Sequence, residues 1–139
     1  MATYTKFQPF VELLAEKSFN LGSDTLKVML CNTAPVNTNA QKSDLTEISA
    51  GNGYTAGGTA SSISSSAQTS GTYKLVIGDV TFTASGGSIG PFRYAVLYDD
   101  TATNDELIGF WDYGSAVTLA SGESFTVDFD AANGVLTIA

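Results

Sequence analysis

The sequence predicts an all-β domain, an antiparallel sandwich or barrel that carries one short N-terminal helix. Three observations lead there. Short β-rich runs recur along the chain between turn-forming residues. The strand–helix–strand alternation that builds a parallel sheet is missing. Charged residues make up only 14% of the chain, with Gly, Ser and Thr filling the gap, as short strands joined by tight turns require. At 139 residues the chain fits a single domain, residues 1–139. A domain of that size buries about 68–70% of its unfolded surface, enough for a core without staples.

The helix is expected over residues 4–17. Phe7, Phe10, Val11 and Leu14 fall at i, i+3, i+4 and i+7, one face of a helix. Thr5 and Gln8 fit a capping box, Pro9 sits in the first turn, and Gly22 marks a stop. A single further turn is expected near Ser43, as its cap. Strands are expected over residues 25–31, 73–77, 80–83, 92–98, 107–113, 117–119, 125–129 and 135–138. Residues 92–98 and 107–113 flank a turn-rich segment and read as a hairpin. Residues 117–119 and 125–129 read as a second, and 125–129 with 135–138 as a third, closed at Asn133-Gly134. Residues 50–71, rich in Gly and Ser, read as a flexible loop or an exposed edge strand.

Composition also narrows the chemistry. With no histidine, the commonest general base and metal ligand is missing. A lone Cys31 rules out an internal disulfide and a thiolate cluster, and its apolar run favours a buried, inert thiol. The start lacks a basic segment leading into an apolar one, and no apolar run is long enough to span a bilayer. A soluble chain made in the cytoplasm is therefore expected. Residues 1–93 hold six basic and six acidic groups; residues 94–139 hold eight acidic groups and no basic one, the whole net charge of −8. Such a field repels nucleic acid and anionic membranes and attracts a basic protein surface, besides serving solubility.

Four constellations invite chemistry. Asp99, Asp100, Asn104, Asp105 and Glu106 offer oxygen ligands, but the spacing does not fit a calcium loop, and a turn has the same composition. Asp112 and Asp128 could pair as glycosidase carboxylates, yet each sits at an outward point of its strand. Trp111, Tyr113, Tyr98, Tyr94 and Tyr54 could form a stacking platform for sugar rings, although cross-strand packing accounts for most of them. Gly51-Asn52-Gly53, Gly57-Gly58 and Gly86-Gly87 lack the strand–helix setting and the following Lys of a phosphate loop, and read as turns. Neither an enzyme nor a cofactor or metal site is expected.

The order of segments carries a resemblance. The N-terminal helix leads into Asn20-Leu-Gly-Ser-Asp-Thr-Leu-Lys-Val-Met-Leu30 and Asn32-Thr-Ala-Pro35, then Asp44-Leu-Thr-Glu-Ile48 and Gly51-Asn-Gly-Tyr-Thr-Ala-Gly-Gly58. Gly90-Pro-Phe-Arg-Tyr-Ala-Val-Leu-Tyr98, Leu107-Ile-Gly-Phe-Trp-Asp-Tyr113 and Gly122-Glu-Ser-Phe-Thr-Val127 follow. Over nearly its whole length the chain resembles tailed-bacteriophage virion proteins, most closely the cement or decoration proteins of phage heads, that of a Bordetella phage among them. The resemblance implies a jelly-roll-like β-sandwich on the capsid exterior that locks neighbouring major capsid protein subunits together. It implies self-association too, as a dimer before a trimer, and no nucleic-acid or membrane partner. Phe7, Phe10, Tyr54, Asp99, Asp100, Asp105 and Glu106 are the candidate capsid-interface residues. A tail or head-fibre component, or a carbohydrate-binding module, is the alternative.

Overall fold

The computed structural model describes residues 2–139. Its elements are β1 (Thr3–Lys6), α1 (Pro9–Ala15), β2 (Leu26–Cys31), a 3-10 turn (Lys42–Asp44), β3 (Thr59–Ser61), β4 (Ile63–Thr69) and β5 (Thr72–Ile77). There follow β6 (Val80–Thr83), β7 (Ile89–Asp99), β8 (Leu107–Leu119), β9 (Ser124–Val127) and β10 (Leu136–Ile138). The molecule is mostly β with one short helix, as an all-β sandwich requires. A five-stranded sheet runs β1-β8-β7-β2-β3, a three-stranded sheet β10-β5-β4, and β6 pairs with β9. Every pairing is antiparallel.

The β7–β8 hairpin is the spine, and it forms where the two aromatic runs predicted it. Strand β8 is one strand of 13 residues, not the two short ones expected, because its far end stays paired to β7 through Phe92↔Val117 and Ile89↔Leu119. Strand β2 lies against β7 with Leu26 opposite Asp99 and Cys31 opposite Tyr94. The alternation of β2 has two buried sides. Leu26, Val28 and Leu30 join the main core between the sheets, while Met29 and Cys31 join a second cluster with Phe7, Val96, Tyr98, Leu107 and Phe110. Burial pushes the Cys31 thiol up to about 12, so it stays protonated and inert at neutral pH.

The N-terminus departs from expectation. Residues 3–6 form an edge strand on β8, with Tyr4 opposite Trp111, and the helix is confined to Pro9–Ala15 with Gln8 at its N-cap position. Phe7 and Phe10 therefore do not share a helical face. Phe7 packs on Phe110 in the second cluster, at 5.2 Å between ring centres, and Phe10 packs on Phe19 in the main core at 5.0 Å. Ladder hydrogen bonds to β8 and a home for the Tyr4 ring over Gly109, where a Cβ would collide with it, outweigh the helical periodicity. The turn near Ser43 is capped reciprocally by Gln41 and Asp44, not by Ser43.

Two expected hairpins do not form: β9 pairs with β6 and β10 with β5, so neither pairs with its neighbour in sequence. Residues 50–71 take the edge-strand option. β3 closes the five-stranded sheet and β4 the three-stranded one. The loop before them is tied down: the Tyr54 hydroxyl accepts from the Leu30 N–H at 3.0 Å and donates to Glu47 at 2.7 Å, while Glu47 also accepts from the Gly57 N–H. Tyr98 donates to the Gly57 carbonyl at 2.6 Å.

Candidate docking surfaces

The acidic turn between β7 and β8 is folded onto itself. Asp99 is fully buried; its Oδ1 accepts from the Thr101 and Ala102 N–H groups, and Glu106, also buried, accepts from Asn104. Asp100 and Asp105 are half-exposed and pair with Lys27 at 3.0 Å and Lys42 at 3.8 Å. Phe7, Phe10 and Tyr54 are buried as well. Five of the seven residues expected at an interface therefore present almost no side-chain surface, because long-range strand pairing draws them inward; only Asp100 and Asp105 remain partly available.

Asp99 Oδ2 has no hydrogen-bond partner, and Asp24 stands near enough to act on the carboxyl. Burial first, and Asp24 second, raise Asp99 to about 7. The pair stands where the α1–β2 connection meets the hairpin turn, beside an open hollow that Lys17, Asp24 and Glu106 help to line.

Two grooves offer surface instead. The first, of about 490 Å³, lies between α1 and β10 and is lined by Tyr4, Phe10, Val11, Leu14, Leu136 and Ile138. Tyr4, Val11 and Ile138 are among the few large apolar side chains left exposed. Because β1 and β10 are edge strands, unpaired backbone flanks this apolar patch on both sides.

The second groove, of about 410 Å³, is walled by Tyr94, Trp111, Tyr113 and Phe125. Arg93 grips Asp112 with two hydrogen bonds, 2.7 and 3.0 Å. That pairing, with the Gly114 N–H, holds the Asp112 carboxyl below its usual range. The Arg93 guanidinium also lies 5.6 Å from the centre of the Tyr94 ring. Of the five rings expected in a stacking platform, Trp111 and Tyr113 wall this groove and Tyr94 lines it while its ring packs on Phe110 of the second cluster, whereas Tyr54 and Tyr98 are buried elsewhere with their hydroxyls engaged. Asp128 lines this groove, whereas Asp112 lies outside its lining and is committed to Arg93. The two grooves adjoin through Tyr4 and Trp111, whose ring centres lie 5.0 Å apart.

Sequence reasoning missed Val11 and Ile138 as surface residues. The period that placed Val11 inward was correct for an idealised helix, but α1 rolls Phe10 and Leu14 toward the core and leaves Val11 out. Among the described residues no group of three or more Cys, Asp or Glu side chains is arranged to hold a metal ion. No helix is long and apolar enough to cross a membrane. Comparison with protein-family models, curated proteins and solved structures finds no significant match.

Proposed function

We propose that this chain is a virion structural protein, a cement or decoration protein that binds the outside of a bacteriophage head and bridges major capsid protein subunits. The observation that carries the reading is the apolar patch of Tyr4, Val11 and Ile138 set between two open strand edges. Such a surface suits adhesion, and the order of segments along the chain supports the same class. On this reading the chain acts by binding and not by catalysis. Burying the patch across a joint between capsid subunits stabilises the assembled shell by mass action. Individually weak contacts suffice because many copies bind one lattice and each touches more than one subunit.

Stripped capsids of the parent virion, mixed with added protein and sedimented, test the proposal. Wild-type protein is expected to pellet with the shells. Val11→Glu and Ile138→Lys, both at exposed positions and so mild for the fold, are expected to lower occupancy by tenfold or more. Wild-type protein that stays in the supernatant, or variants that pellet equally well, would contradict it.

A further inference from the structure

The acidity of residues 94–139 is almost entirely committed within the fold. Asp99 and Glu106 are buried in their turn, Asp100 and Asp105 face Lys27 and Lys42, and Asp112 is held by Arg93. Glu123 accepts from the Ala120 N–H, and Asp130 from the Ala132 and Asn133 N–H groups. Among the described acidic residues of this third, Asp128 alone has neither a side-chain hydrogen bond nor an ion pair. It opens on the aromatic groove, whose charged lining groups are Arg93 and Asp128. Arg93 is neutralised by its pairing with Asp112, which lies outside the lining, so the Asp128 carboxylate is left unbalanced.

We propose that the aromatic groove receives a lysine or arginine side chain from the capsid surface. The proposal rests on the cement reading for its partner, and on the groove alone for its chemistry. Aromatic faces attract cations within about 6 Å of the ring centre, and Tyr94 already takes the Arg93 guanidinium in that way. A basic side chain entering between Trp111 and Tyr113 meets ring faces along its stem and the free carboxylate of Asp128 at its head. An anion would meet the unbalanced Asp128 carboxylate. A purely apolar side chain would desolvate Asp128 without supplying a partner. The groove is also continuous, through the Tyr4–Trp111 contact, with the apolar patch proposed as adhesive, so one capsid segment can engage both. Arginine should bind better than lysine, because its flat guanidinium stacks on rings and forks onto a carboxylate.

The test has two arms. In the first, acetyl-Gly-Arg-Gly-amide is titrated against isotope-labelled protein while the Trp111 indole N–H is followed by NMR; the same peptide with citrulline, and a neutral disaccharide, serve as comparisons. Saturable shifts with the arginine peptide are expected, weakened about twofold to fivefold by Asp128→Asn and also by Tyr113→Ala. Equal shifts with citrulline or the disaccharide would overturn the cationic ligand in favour of a neutral one, and no shift at all would overturn the site. In the second arm, Asp128→Asn and Tyr113→Ala are added back to stripped capsids, with reduced occupancy expected. Peptide binding with unchanged capsid occupancy would overturn the capsid as the source of the side chain. Wild-type protein that binds peptide but no capsid would sink the cement reading and leave the site intact.

Discussion

Asp99 is the residue whose behaviour differs most from its appearance in the sequence. An Asp opening a turn caps N–H groups in solvent more often than it is buried, and this one does cap Thr101 and Ala102. Its burial comes from the pairing of β2 with β7, which sets Leu26 opposite Asp99, and a contact between residues so distant in sequence leaves no local trace. The consequence is a pH dependence of stability. Because the folded state raises Asp99 to about 7 from 3.8, the native protein holds this proton more tightly than the unfolded chain. The stabilisation is complete below about pH 4 and is lost as pH rises toward 7. Asp112 and Asp130, held below their usual range, act oppositely and lose their contributions as the solution turns acid. Thermal midpoints should therefore fall by several degrees between pH 5 and pH 8. Asp99→Asn, which keeps the caps and has no carboxyl to titrate, should flatten that slope. A slope unchanged in the variant would remove Asp99 from the account. Tyr54→Phe should cost about 1–3 kcal/mol in denaturant unfolding, since it strips the buried Leu30 N–H of its acceptor. A loss under half that size would mean that water replaces the hydroxyl.

At the scale of elements, alternation found most strands but not their partners. Phe125, Val127 and Phe129 read as a half-buried strand, and Ser124–Val127 is one. Its partner is β6, which sequence separation disfavours, and not the neighbouring runs that turn signals suggested. Hairpin chemistry reports only local closure, whereas Phe125 and Phe82 come together through the shared core. The same limit explains the N-terminus, where a helical period in Phe7, Phe10, Val11 and Leu14 overran a strand held by β8. Serine-rich β4 was legible only as a choice between loop and edge, since few of its side chains enter the core. These roles predict an order of hydrogen exchange. Amides of β2, β7 and β8, which carry apolar packing on both faces, should exchange slowest, and those of β4 and β10 orders of magnitude faster. Comparable protection across all five would contradict the hierarchy. Gly58 tests the edge at β3 more sharply. It holds a positive φ of 79°, and a Cβ there would strike the Val28 carbonyl. Gly58→Ala should therefore destabilise the fold by well over 1 kcal/mol, through strain as well as collision; a neutral result would show that β3 can detach freely.

Across the whole molecule, the separation of charge was plain in the sequence, but its use was not. A count of acidic residues in 94–139 does not reveal that burial, lysine pairs and turn caps absorb nearly all of them, leaving Asp128 at the mouth of an aromatic groove. Nor does composition reveal the apolar strip, because Tyr4, Val11 and Ile138 come from the two ends of the chain and meet only once β1, α1 and β10 are placed. Salt should weaken attachment modestly on this account, since one exposed carboxylate and a screened field contribute less than the apolar patch. The most direct test of the central claim is a cryo-EM map of capsids decorated by the added protein. The account predicts density for the sandwich outside the shell at joints between capsid subunits, with Tyr4, Val11, Trp111 and Ile138 turned toward the shell. Density confined to the tail, no density on the head, or a sandwich whose strip faces solvent would contradict it.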